Sequence, residues 1–115
     1  MTILEFIIGQ LGDALAVNVT GSVPHPMPDE FVTVEQTGSS TRNQITTTTL
    51  AVQSWSTSLA AAEALSARTK AAMTACEAMP EISRLTLESS YNYTDMATNR
   101  PRYQAVWSVV HYLGG

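Results

Sequence analysis

One long segment of helix-forming residues, from Thr57 to Met79, lies between segments rich in β-branched residues. Ala, Leu and Met dominate it, and its apolar side chains recur with the spacing of one helical face: Leu59, Ala62, Leu65, Thr69, Ala72, Met73, Cys76 and Met79. Ser56 is placed to cap the start of this helix, and Pro80 ends it. The chain is therefore predicted to combine a long helix with strands.

A second, shorter helix is predicted at the N-terminus. Thr2 and Glu5 have the spacing of a capping box, in which each side chain binds a free backbone amide of the first turn. Gly12 is expected to end this helix. Its apolar stripe, again at helical spacing, comprises Ile3, Leu4, Ile7, Ile8 and Leu11.

Five segments have the β-branched or alternating composition of strands. They are residues 15–20, 31–37, 45–55, 82–91 and 102–113. Pro24, Pro26 and Pro28 exclude a regular helix or central strand from residues 21–30, which are predicted to form an extended loop. The second and third strands are expected to form a hairpin with a long, mobile tip at residues 38–43, and the fourth and fifth strands a second hairpin.

These elements predict an α+β fold in the order α-β-β-β-α-β-β, as a single domain over residues 1–115. A mixed or antiparallel sheet of about five strands is expected to pack against two helices. A chain of 115 residues hides roughly two-thirds of its unfolded surface on folding, which supports one modest core.

The fifth strand carries apolar side chains on both faces. Val106 and Val110 point one way, whereas Tyr103, Trp107 and Val109 point the other way together with Ala105. The face that holds Trp107 and Val109 is either an interface for another subunit or is covered by the first helix. Both explanations remain open from the sequence.

The charge of the chain is unevenly distributed. Six basic and ten acidic side chains give a net charge of −4, and no basic residue precedes Arg42. Nonspecific binding to nucleic acid through phosphate neutralisation is therefore not expected. The asymmetry favours attraction between unlike surfaces, although scattered solvated charge explains it equally well.

The sequence contains no pattern that indicates catalysis or a bound cofactor. His25 and His111 have no neighbour at metal-ligand spacing, and the lone Cys76 makes neither an intrachain disulfide nor a Cys-rich zinc site. A triad of Ser54, His111 and Asp95 is conceivable on paper, but no Gly-x-Ser-x-Gly elbow accompanies it. We therefore predict no catalytic, cofactor-binding or metal-binding residues and a protein that is not an enzyme. The apolar start of the chain is too short to span a membrane.

Several segments, in their order and spacing, resemble the tail terminator, or tail completion, proteins of long-tailed bacteriophages. The first is the strand Pro28-Asp29-Glu30-Phe31-Val32-Thr33-Val34-Glu35, followed by Thr37-Gly38. The second is Leu50-Ala51-Val52-Gln53-Ser54-Trp55, which leads into the Ala-rich helix. The third is Arg100-Pro101-Arg102-Tyr103-Gln104-Ala105, which opens the last strand after residues 91–95.

This resemblance implies a structural protein that caps the head-proximal end of the tail tube, stops tube polymerisation and provides the surface that joins tail to head. The family forms a homohexameric ring in the virion after synthesis in the host cytoplasm. The implied partners are further copies of the chain, the tail tube protein and a head completion or connector protein. The resemblance also implies that genomic DNA passes through the ring without specific binding and that no membrane is involved.

A ring needs two different contact surfaces on each subunit, and an acidic lumen would repel passing DNA. The residues expected at the interface are Tyr103, Trp107, Val109, Arg42 and Gln44. Those expected near the lumen are Glu30 and Glu35. Two other hypotheses stay open: another neck component, such as a head completion or head-tail connector subunit, and a small α+β ligand-binding module. For a hydrolase that uses His111, no activating partner can be named.

Overall fold

The structure is a computed structural model and describes residues 1–112. Two helices and five strands follow the order α-β-β-β-α-β-β. Their bounds are α1 Ile3–Leu15, β1 Asn18–Thr20, β2 Phe31–Arg42, β3 Ile45–Trp55, α2 Leu59–Cys76, β4 Ile82–Asn92 and β5 Arg102–His111. The strands form one sheet in the order β1-β2-β3-β5-β4, in which only the β1–β2 pair is parallel. The predicted α+β fold with a mixed sheet is confirmed.

Both helices pack on the same face of the sheet. Helix α2 contacts β3, β5 and β4, whereas α1 contacts β1, β2 and α2. Apolar side chains from the helices and from alternate positions of the strands fill the space between them. The fully buried members of this core are Ile3, Ile7, Leu11, Leu50, Leu65, Met73, Val32, Val34, Val52 and Val109.

Helix α1 begins as predicted but ends later than predicted. The capping box is present, because Thr2 Oγ1 accepts from the Glu5 amide and the Glu5 carboxylate accepts from the Thr2 amide. Gly12 lies inside the helix, and the chain leaves it only after Leu15, where Ala16 takes a left-handed φ of 56° and donates to the Gly12 carbonyl. The predicted first strand is correspondingly reduced to Asn18–Thr20. Packing of the buried Leu15 on the core explains the extra turn.

The β2–β3 hairpin has a tighter turn than the sequence predicted. The long tip expected at residues 38–43 is wrong, because β2 continues to Arg42 and the turn consists of Asn43 and Gln44. Both turn residues have positive φ, 53° and 68°, which suits the twist of a two-residue hairpin turn. Hydroxyl pairs across the strands, such as Thr41 with Thr46, stabilise this extension.

The fifth strand has its Trp107 face on the core. Trp107 is 4% exposed and Val109 is fully buried, so this face is covered within the subunit rather than exposed to a partner. The helix in contact with β5 is α2, whereas the cover weighed from the sequence was the first helix. Trp107 and Val109 are therefore core residues of the subunit.

Candidate functional site

The face of the sheet opposite the helices has no helix packed on it, and we call it the open face. Strand register places its side chains in rows that cross β2, β3, β5 and β4. One row is Glu35, Ala51, Val106 and Ser89, and the next row is small and polar: Gly38, Thr49, Ser108 and Thr86. The same register places Arg42, Arg84 and Arg102 on this face. The open face thus has small polar groups in the middle of the sheet and charged side chains around them.

A chain of side-chain hydrogen bonds crosses the open face. Trp55 Nε1 donates to Thr33 Oγ1 at 3.1 Å, and Thr33 Oγ1 donates to Gln53 Oε1 at 3.0 Å. Gln53 Nε2 then donates to Gln104 Oε1 at 2.7 Å, and Gln104 donates to the Tyr91 hydroxyl. Because one bond leads to the next across four strands, this polar ladder fixes the orientation of each side chain in it.

Two arginines and three aromatic rings form a stack next to the polar ladder. The rings of Phe31 and Trp55 are stacked with centroids 5.1 Å apart. The Arg102 guanidinium lies between Trp55 and Tyr93, at 4.7 Å and 4.3 Å from the two ring centroids, and Arg100 lies over Phe31 at 5.8 Å. Each cation above a ring contributes on the order of 1 kcal/mol, so the stack stabilises this part of the sheet.

Arg100 joins three loops at one end of the sheet, which we call the loop end: residues 21–30, 56–58 and 93–101. Its Nε donates to the Ser56 carbonyl at 3.2 Å, and its Nη2 donates to the carbonyls of Pro28 and Asp29 at 2.8 Å and 3.0 Å. The Ser56 amide also donates to the Pro101 carbonyl at 3.1 Å. The guanidinium group is suited to this role, since it offers several donors in fixed directions.

At the same end of the sheet, a hydrogen bond from the Thr98 side chain is the main cause that lowers the pKa of Asp95.

The loop end and the β2–β3 turn lie at opposite ends of the long axis. The molecule measures 43 × 25 × 24 Å, and an 11-residue strand such as β3 spans about 36 Å, so the strands fit only along the long direction. We call the end with Asn43 and Gln44 the turn end. Met96, at 87% exposure, projects at the loop end, whereas Ile45 and Tyr112 are exposed at the turn end. The two ends therefore offer different apolar side chains.

Both outer strands of the sheet have an edge without a strand partner among residues 1–112. Strand β1 pairs only with Phe31–Thr33, and Gly21 lies beside the carbonyl of the buried Val34, so β2 lacks a strand neighbour on that side from Gly38 to Arg42. Strand β4 lies at the other end of the strand order and pairs only with β5. We call these segments the β2 edge, residues 38–42, and the β4 edge, residues 82–92.

The remaining predicted interface residues lie in different places. Arg42 and Gln44 are exposed at the turn end, whereas Tyr103 pairs with Ser54 near the loop end and is half-buried. The Tyr103 hydroxyl donates to Glu63 on α2 at 3.1 Å, and this hydrogen bond is the first cause that raises the pKa of Tyr103. The structure does not bring the three residues together, and their interface role stays a prediction.

The two acidic residues predicted near a lumen differ in their surroundings. Glu35 is exposed on the open face, one row from the polar ladder. Glu30 is half-buried at the loop end, where its carboxylate accepts from the Ser56 hydroxyl at 3.5 Å. Of these two carboxylates, that of Glu35 is therefore the one exposed to solvent.

The side chains that organise the open face and the loop end were not singled out from the sequence. They are Gln53, Gln104, Arg100 and Arg102. The pair of arginines around Pro101 was noticed only as part of the resemblance, and the two glutamines are paired across β3 and β5 in the structure. Glutamine at interior strand positions is the one feature of the sequence that points to such a ladder.

Comparison of the chain with protein-family models and with curated protein sequences gives no match. Neither helix within residues 1–112 combines the length and the apolar character needed to cross a membrane. On the same residues, we find no pocket and no cluster of three or more His, Cys, Asp or Glu side chains able to hold a metal ion. The candidate site is therefore a set of surfaces: the open face, the two ends and the two sheet edges.

Proposed function

We propose that this chain is the subunit of a bacteriophage tail terminator, a homohexameric ring in the virion that caps the head-proximal end of the tail tube and joins the tail to the head. The proposal includes the tail tube protein and a head completion or connector protein as its partners, with DNA passing through the ring. It describes a structural protein rather than an enzyme.

The observation that carries the proposal is the convergence of the three resembling segments at the loop end. Arg100, from the third segment, binds the carbonyls of Pro28 and Asp29 at the start of the first. Phe31 of the first segment stacks on Trp55 of the second. Segments separated by up to 72 residues in sequence thus act as one structural unit, which supports treating the resemblance as a property of the whole domain.

The elongated shape also supports a connector. A ring placed between a tube and a head needs two unlike surfaces along its axis, one for each partner. The chain offers Met96 and Tyr93 at the loop end and Ile45 and Tyr112 at the turn end. The strands of the sheet run from one end to the other, so hydrogen-bonded strands link the two contact surfaces directly.

Deletion of the gene from the phage that encodes it tests the proposal. Negative-stain microscopy is expected to show abnormally long or headless tails, because nothing stops tube growth or provides the joining surface. Complementation with the intact gene is the control and should restore tail length. Normal-length tails without heads would instead indicate a component that acts only in the neck, and normal virions would exclude both functions.

Reversal of the charge at Glu35 tests whether the open face lines the DNA channel. Glu35→Lys would replace the carboxylate with a further cation on the face that holds Arg42, Arg84 and Arg102, and a cation attracts phosphate rather than repelling it. We expect virions of normal tail length that eject DNA more slowly, with the delay reduced by salt. Asp13→Lys, an exposed position on α1 at the other face of the sheet, is the matched control. Equal ejection rates in both variants would place Glu35 outside the channel.

A further inference from the structure

We draw no further inference here: the strongest candidate, the open face of the sheet, where Arg42, Arg84 and Arg102 lie around small polar side chains, carries nothing, because nothing in the structure shows what covers it.

Discussion

Substitution of Trp107 by alanine is expected to lower the free energy of unfolding by about 3–5 kcal/mol. The indole is 4% exposed and packs in the core, opposite Leu50 on β3 and Leu87 on β4. Since small domains are stable by only about 5–15 kcal/mol, this loss removes a large part of the stability. Urea denaturation followed by far-ultraviolet circular dichroism measures it directly.

Two further variants separate packing from other effects at Trp107. Within residues 1–112, the indole Nε1 has no hydrogen-bond partner although it is buried. Trp107→Phe retains much of the packing and removes that unsatisfied donor, so we expect a loss below about 1.5 kcal/mol. Tyr112→Ala, at an exposed site, should change stability by less than about 0.5 kcal/mol. A Trp107→Ala protein with unaltered stability but impaired assembly would restore the interface role predicted from the sequence.

The order of the elements was predictable because each has its own local pattern. Helical spacing identifies α2, the Thr2–Glu5 capping box identifies the start of α1, and β-branched runs identify the long strands. The side of β5 that faces the core was not predictable in the same way. Val106 and Val110 alternate with Trp107 and Val109, and alternation alone does not say which set a helix covers.

The hairpin turn shows a second limit of local patterns. The run Gly38-Ser39-Ser40 has turn composition, yet it forms a strand because its partner β3 offers matching hydroxyls, such as Thr48 opposite Ser39. The true turn at Asn43 and Gln44 contains no glycine. Tertiary pairing with β3, which itself pairs with β5 over its length, outweighs the preference of the segment for a turn.

The role of Arg100 was not predictable, because its contacts are distant in sequence. The carbonyls that it binds lie 44, 71 and 72 residues away. A sequence pattern shows an arginine beside a proline, but only the fold brings three loops to within reach of one guanidinium. Sequence patterns therefore predict the fold class, but they do not predict the candidate surfaces.

Arg100→Ala is expected to lower the free energy of unfolding by about 2–3 kcal/mol, because it leaves three carbonyls without their charged donor. These are the carbonyls of Ser56, Pro28 and Asp29. Amide hydrogen exchange should become faster at residues 21–30 and 93–101, which Arg100 holds together, while the β2–β3 turn at the other end should be unaffected.

Arg100→Lys and Arg84→Ala complete this test. A lysine ammonium lacks the planar fork and replaces only part of the three hydrogen bonds, so about half of the loss should remain. Arg84 is exposed on β4, and its removal should change stability by less than about 0.5 kcal/mol. If Arg100→Ala were as mild as Arg84→Ala, the Ser56–Pro101 backbone bond and the Phe31–Trp55 stack alone would hold the loops. The strands, rather than the arginine, would then determine the conformation of the loop end.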